Sequence, residues 1–430
     1  MKIHFIGIGG IGVSALAQYY LSQKAEVFGS DLYSSEITEM LEKKGVRLFL
    51  GEQKADNISP DLDLVVYSPA VNRENLELKK ANELGIKAIS YPKALAEISK
   101  DYFTIAVSGA HGKSTTAAMI SLVLMKNGFS PTAILGTKLK EFGNSNFLKG
   151  NSKYLVIEAD EYKGSFLNYY PNIIVLTNIE EEHLDYYGKI ENILEAFKEY
   201  ISHLPSDGVL VFNKDDQNIK KLDLQGFKKI GFSKADKEIQ ELKNILQIPG
   251  LHNALNALAA FKTVRELGLV KQDIFSSLQE FKGAWRRFEI LNNERFVLVS
   301  DYAHHPTEIK ATLQAAREKW PKKTIWAIFQ PHQKQRTHYL FEQLVACFVE
   351  STVDKIIFVP IYDVAGREKK SIKVSSEMLC QAIKDKGKEA LFVPDLQEAK
   401  EFLQNNVSQD DLVLIMGAGN VYDLTKMLST

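Results

Sequence analysis

Cysteine is almost absent from this chain: Cys347 and Cys380 are the only two in 430 residues. Two thiols make no disulfide framework, and they lack the clustered spacing of a zinc site. Both are therefore expected to be reduced, in a reducing compartment. A surplus of charge is absent too, with 53 basic and 54 acidic residues and a net charge of -1. Proteins that live on nucleic acid or anionic membrane carry a basic excess, so neither is an expected partner. Any anionic ligand must be held by local groups. No uninterrupted apolar run reaches membrane-spanning length, which excludes membrane insertion from the expectation. The stretch from Met1 to Ala17 is apolar, but it carries four glycines at patterned spacing and runs on into globular sequence, unlike a signal peptide. A cytoplasmic protein is expected.

What is present is the balance of an ordinary globular chain, 45% apolar and 25% charged. Short apolar runs alternate with helical patterns throughout. In the first region Ile3–Ile6, Glu26–Gly29 and Leu64–Tyr67 read as strands, and Val13–Lys24 as a helix. Such alternation implies a parallel sheet covered on both faces. This region ends near Tyr91-Pro92, before a helical Ala94–Ser99. A second region opens with the run Phe103–Val107 and the helix Thr115–Asn127, closed by Gly128. Further strands are expected at Tyr154–Ile157, Ile173–Leu176 and Gly208–Phe212, then a helix Asn253–Glu266 stopped by Gly268. Phe281–Arg287 reads as a linker. The last region places strands at Phe296–Ser300, Thr324–Phe329, Lys355–Pro360 and Leu412–Met416. Three α/β domains are expected, over residues 1–95, 96–284 and 285–430.

Two glycine-rich turns sit between a strand and a helix. In the first, Gly7-Ile8-Gly9-Gly10-Ile11-Gly12, glycines let the backbone approach a diphosphate at a helix N-terminus, and Asp31 stands where an acidic residue can hold a ribose hydroxyl. The turn alone does not say which nucleotide, and a tight turn without ligand remains open. The second, Gly109-Ala110-His111-Gly112-Lys113-Ser114-Thr115, is shorter than a full Walker A loop but has its working parts. Its amides can cradle phosphates, Lys113 can reach the β/γ-oxygens, and the Ser114 hydroxyl can ligate Mg²⁺.

Glu158-Ala159-Asp160-Glu161 follows a strand, where ligands bind α/β sheets, and His183 stands further on in Thr177–Asp185. A carboxylate and a histidine there can hold a metal ion beside a transferring phosphoryl group. Taken on the residues alone, His183 reads more readily as a surface helix cap, and the acidic cluster as a solvated turn. His252, Asn253 and Asn256 can read a base edge, though capping by Asn253 explains that motif almost as well. Arg286-Arg287 with Asp301–Glu308, and Phe329–His332 with Arg336-Thr337, complete the set; for the arginine pair an interdomain salt-bridge network is the alternative.

In this order the motifs resemble the Mur ligase superfamily along nearly the whole chain, down to a closing Met416-Gly417-Ala418-Gly419. Each motif is modest alone; the ordered set is specific. The resemblance implies a Rossmann-like N-terminal domain, a P-loop-type central ATPase domain and a Rossmann-like C-terminal domain. Within the family it is nearest to members that join L-alanine to the lactyl carboxylate of UDP-N-acetylmuramate through an acyl phosphate, with ATP and Mg²⁺, in peptidoglycan precursor synthesis. It assigns the first loop (Gly9, Gly10, Ile11, Gly12), with Asp31 and Ser68, to the UDP-sugar rather than to a nicotinamide dinucleotide. Residues Gly109 to Thr115, His252, Asn256 and Arg287 would bind ATP. Lys113, Glu158 and His183 would be catalytic, and Ser114, Glu158 and His183 would hold the metal, which reverses the reading of His183. His305, His332 and Arg336 would meet the substrates. A monomer or weak homodimer is expected.

The chain also departs from the family pattern. Ala110 and Ser114 stand in place of threonines, and Ser300-Asp301 in place of an Asp-Asp pair. Gln333 falls where an arginine often helps bind substrate, leaving more of carboxylate recognition to Arg336. Tyr162-Lys163 replaces a Ser-Asp and is similar to members that attach a whole tripeptide in cell-wall recycling; that activity is the alternative within the family. Outside it, a nicotinamide oxidoreductase leaves the Lys113 loop without purpose. A non-catalytic nucleotide-binding protein leaves Glu158, His183 and the C-terminal motifs unexplained. Lys198, near the position of a modified lysine ligand in some members, reads as an exposed helix residue.

Overall fold

The computed structural model describes residues 1–291, 293–363 and 372–429. The chain divides into two compact units, Met1–Ile239 with Leu255–Gln279, and Gln240–Ala254 with Glu280–Thr430.

The first unit contains two sheets. Strands β1 (Lys2–Ile6), β2 (Glu26–Asp31), β3 (Arg47–Leu50), β4 (Leu64–Tyr67) and β5 (Ala88–Ser90) form a sheet of order β3-β2-β1-β4-β5, parallel throughout. The order reverses at β1, so the turn after it opens at a switch point, where α/β sheets bind ligands. The second sheet comprises β6 (Phe103–Ser108), β7 (Thr132–Leu139), β8 (Ser145–Leu148), β9 (Tyr154–Glu158), β10 (Ile173–Leu176), β11 (Val209–Asn213) and β12 (Lys228–Phe232). Its order is β12-β11-β10-β6-β9-β7-β8, with only the β7–β8 pair antiparallel. The loop after β6 is therefore centrally placed.

An apolar cluster runs from Ile3, Phe5 and Leu16 through Ile157 and Phe166 to Phe197 and Tyr200, spanning both sheets. The helix Lys113–Lys126 buries Ser114 to Leu124 without a break, as a helix enclosed on all sides must. Gly128 follows it at φ +76°, a left-handed stop that needs no Cβ. The helix expected over Ala94–Ser99 begins three residues earlier, at Tyr91, with Pro92 in the first turn where its missing N–H costs nothing.

The second unit carries β13 (Glu289–Leu291), β14 (Val297–Asp301), β15 (Thr324–Phe329), β16 (Lys355–Phe358), β17 (Ala390–Phe392) and β18 (Asp411–Met416). They are ordered β13-β14-β18-β15-β16-β17, and only β13–β14 is antiparallel. Apolar clusters cover both faces, one around Phe329 and Phe348, the other around Ile328 and Leu424. Cys347 and Cys380 are buried free thiols. Among the described residues, no helix is long and apolar enough to cross a membrane.

Candidate functional site

Where β1 ends, the chain turns through Gly7 at φ +77°, and the amides of Gly7 and Ile8 donate to Ser30 O at 2.9 and 3.0 Å. Gly9 N donates to Asp31 Oδ2 at 2.8 Å, and Leu32 N to Asp31 Oδ1 at 2.8 Å. Asp31 thus shapes the loop in this structure. A Cβ on Gly9 would stand 2.8 Å from that carboxylate oxygen, so any larger residue there would have to displace Asp31. The helix Ile11–Ser22 opens on Gly10, which offers no side chain to cap the first-turn amides. Those donors are left for an anion. Ser68 lies beside the loop, its Cβ 3.1 Å from where a Cβ on Gly7 would be. Asn146 of β8 fixes the helix from the second sheet, donating to Ile11 O at 2.5 Å and Ser14 Oγ at 2.9 Å.

The second loop is clamped by β10's C-terminal end. Asn178 Oδ1 accepts from His111 N at 2.8 Å, Asn178 O accepts from Ala110 N at 3.1 Å, and Thr177 Oγ1 donates to His111 O at 2.6 Å. Gly109 (φ +127°) has no room for a Cβ against Thr177 and Asn178, nor Gly112 (φ +84°) against the Asn256 amide. Asn178, which was not among the expected site residues, holds the loop, and the Asn256 amide, expected to meet adenine, packs against Gly112. His111 Nε2 lies 3.3 Å from Glu180.

Lys113 Nζ donates to Gly109 O at 2.6 Å, to Ala110 O at 3.3 Å and to Glu161 Oε2 at 2.9 Å. Burial disfavours its charge, but Glu161, Asp160 and Glu158 outweigh that and hold its pKa above the usual lysine value. Ser114 Oγ donates to Glu158 Oε2 at 2.7 Å, and Glu158 Oε1 accepts Gly136 N at 2.5 Å. Two of the three expected metal ligands are thus in direct contact.

His183 does stand at a helix N-cap, before Leu184–Tyr187, but its side chain makes no capping bond. Its Nε2 lies 3.7 Å from Glu161 Oε1, and its ring is 4.8 Å from that of Tyr162. Asp160, Glu161 and His183 each offer a ligand atom within 4.8 Å of the others, a set from which Glu158 is absent. Glu161, 2% exposed, lies in the acidic motif read from the sequence but was not among its expected ligands. Lys198 is exposed on the helix Ile190–Ile201.

Tyr91 also reaches this region. A Cβ on Gly12 would lie 2.9 Å from its Cζ and Oη. Burial raises its phenol pKa, and the carboxylates of Glu158 and Asp160 raise it further.

In the second unit, burial lowers the His252 pKa to about 4 against the pull of Glu308, so its imidazole is neutral at pH 7. Asn253 Nδ2 donates to Pro249 O at 2.7 Å, at the start of its helix. The linker is strained, with Arg286 at φ +57° and Phe288 at φ +46°. Arg286 Nη2 secures it by donating to Gly417 O at 2.5 Å and Gly419 O at 2.9 Å, while the Arg287 guanidinium lies 4.8 Å from the Tyr302 ring. Asp301 accepts from Phe288 N and Ala303 N, both at 2.7 Å. Burial pushes its carboxyl up to about 6, with Arg287 and those two amides pulling the other way. His305 caps the helix Pro306–Lys319, its Nδ1 accepting Thr307 N at 3.4 Å. His332 stacks on Tyr362 at 5.9 Å, and Arg336 lies on the short helix Lys334–Tyr339.

Against known proteins, a model of the Mur ligase family catalytic domain matches residues 2–103. The Mur ligase middle domain matches residues 107–264, and the Mur ligase glutamate ligase domain residues 286–419. A UDP-N-acetylmuramate–L-alanine ligase of Acetivibrio thermocellus is 40% identical, covering 99% of this chain and 95% of its own. The solved UDP-N-acetylmuramate-alanine ligase of Thermotoga maritima has a TM-score of 0.82 at 29% identity, over 100% of this chain and 98% of its own. A murein peptide ligase of Psychrobacter arcticus shares the fold, with a TM-score of 0.70 at 22% identity over 100% and 98%.

Proposed function

The chain belongs to the Mur ligase family, and from that premise we propose that it joins L-alanine to the lactyl carboxylate of UDP-N-acetylmuramate, converting ATP to ADP and phosphate. This is a cytoplasmic step of peptidoglycan precursor synthesis. One observation carries the chemistry: the Lys113–Ser114–Glu158–Glu161–His183 cluster lies in the same compact unit as the Gly7–Gly12 loop. The proposed division of labour gives residues 1–95 the UDP-sugar, 96–284 the ATP and 285–430 the amino acid.

Oxygen donors with one imidazole suit a hard divalent cation. Ser114, Glu158 and His183 would hold Mg²⁺, with Asp160 and Glu161 beside them. Bound there, it would supply charge neutralisation at the phosphoryl oxygens.

The protein's own groups do the rest by position. The loop amides from Gly109 to Thr115 and the Lys113 ammonium stabilise charge on the γ-phosphoryl group as the lactyl carboxylate attacks phosphorus and ADP leaves. Lys113 now rests on Glu161 and two carbonyls, so it is already desolvated and aimed into the loop. The amine of L-alanine then attacks the acyl carbon; the tetrahedral adduct loses a proton and expels phosphate. No side chain acts as a nucleophile; orientation lowers the barrier. His252, neutral, and Asn256 would bind adenine, and Arg287 the nucleotide. Gly9 to Gly12, Asp31 and Ser68 would bind the UDP-sugar, with His305, His332 and Arg336 serving the carboxylate and amino acid.

Phosphate release from ATP with Mg²⁺ and UDP-N-acetylmuramate tests this. Turnover with L-alanine is expected. Turnover only with the cell-wall tripeptide would move the enzyme to recycling, and turnover with neither would sink the ligase reading.

A further inference from the structure

Most donors of the first glycine loop are already used inside the protein. Gly7 and Ile8 donate to Ser30 O, Gly9 to Asp31, and Gly10 to Gly7 O. What remains for an anion is the uncapped first turn of Ile11–Ser22. Three amides are a thin cradle for a diphosphate that carries several negative oxygens.

Tyr91 approaches that turn from a different part of the sheet. It is the first residue after β5, and its phenol lies so close over Gly12 that any Cβ there would stand 2.9 Å from Oη. A side chain at position 12 would therefore have to displace the Tyr91 ring. The carboxylates of Glu158 and Asp160 are near enough to add to the effect of burial in raising the phenol pKa of Tyr91. Among the described residues its hydroxyl makes no hydrogen bond, although a phenol O–H in a partly buried position ordinarily finds one. Simple ring packing would account for the tyrosine's body but not for a donor held at the edge of a set of free amides.

We propose that the Tyr91 hydroxyl donates a hydrogen bond to the diphosphate of the bound UDP-sugar, completing the cradle begun by the amides of Ile11, Gly12 and Val13. This rests on the UDP-sugar reading given above. Tyr91 is then a substrate-binding residue, and its bond to the diphosphate persists unchanged through the reaction. Its loss should weaken binding and leave the chemical step alone.

Tyr91→Phe keeps the ring and removes only the donor. Titration calorimetry with UDP-N-acetylmuramate and with UDP should show both weakened roughly tenfold or more, the usual scale for a hydrogen bond to a charged group. The melting temperature, kcat and the KM for ATP should stay at wild-type values. Wild-type affinity for both nucleotides would overturn the proposal, and so would a fall in kcat alone. Weakening with UDP-N-acetylmuramate but not with UDP would place the hydroxyl on the sugar and also overturn it. If Tyr91→Phe melts early, Tyr91→Gln must bind UDP more tightly than Tyr91→Leu, since only glutamine retains a donor. A wild-type protein that binds neither nucleotide would defeat the UDP-sugar reading itself, a result distinct from equal binding by wild type and Tyr91→Phe.

Discussion

Replacing Lys113 by methionine separates what the lysine does for the fold from what it does for catalysis. The side chain keeps its length but loses the ammonium that bonds Gly109 O, Ala110 O and Glu161. Glu161 is then left 2% exposed, with Asp160 nearby and, among the described residues, His183 3.7 Å away as the remaining basic partner. Breaking a buried ion pair by removing one partner costs roughly 3–5 kcal/mol. Burial already raises the Glu161 pKa, so the orphaned carboxyl can take up a proton, which limits the net cost to about 2–4 kcal/mol. Glu161→Gln in the same chain removes the stranded charge and should recover most of that loss, giving a coupling energy of about 2 kcal/mol or more in a double-mutant cycle. Ligation should fall at least about a thousandfold in Lys113→Met and stay down in the double variant, because neither has a side-chain ammonium to stabilise charge on the γ-phosphoryl group. Urea denaturation read beside phosphate release measures both quantities. A double variant as unstable as Lys113→Met would refute the ion-pair account, and substantial turnover in either would remove Lys113 from the chemistry.

His183→Ala should raise the Mg²⁺ concentration needed for half-maximal turnover sharply; an unchanged magnesium dependence would return His183 to a helix-cap role. Gly9→Ala sets a methyl against Asp31 Oδ2 and should weaken UDP-N-acetylmuramate binding with little effect on ATP, checked by calorimetry with each nucleotide. His252 has a folded-state pKa of about 4 against 6.5, so its neutral form is favoured by folding and its share of stability is complete above pH 6.5. That share should drain away as pH falls from 6.5 to 4, by roughly 2–3 kcal/mol, and His252→Gln should flatten this part of the pH–stability curve.

The strands Leu64–Tyr67, Ile173–Leu176 and Thr324–Phe329 were legible to the residue. Each is an unbroken apolar run inside a parallel sheet, buried on both faces, so the signal is local. The hairpin of Thr132–Leu139 and Ser145–Leu148 was not: Gly136 and Lys138 interrupt its pattern, and its register depends on pairing with β9. The same division holds at the site. Lys113 and Ser114 were readable because a phosphate loop is contiguous in sequence. That Glu161 rather than Glu158 meets Lys113 and His183 depends on the turn after β9, where Lys163 and Gly164 take φ of +52° and +66°. Tyr91 was not legible as a site neighbour because its meeting with Gly12 exists only once β5 has paired with β4.

The central claim is that the protein presents the lactyl carboxylate of UDP-N-acetylmuramate to the γ-phosphorus of ATP. Oxygen-18 in both positions of that carboxylate tests it, with mass analysis of the released phosphate after turnover with L-alanine. The account predicts one labelled oxygen in each phosphate, carried over through the acyl phosphate. Phosphate free of label, with both labelled oxygens accounted for elsewhere, would contradict it.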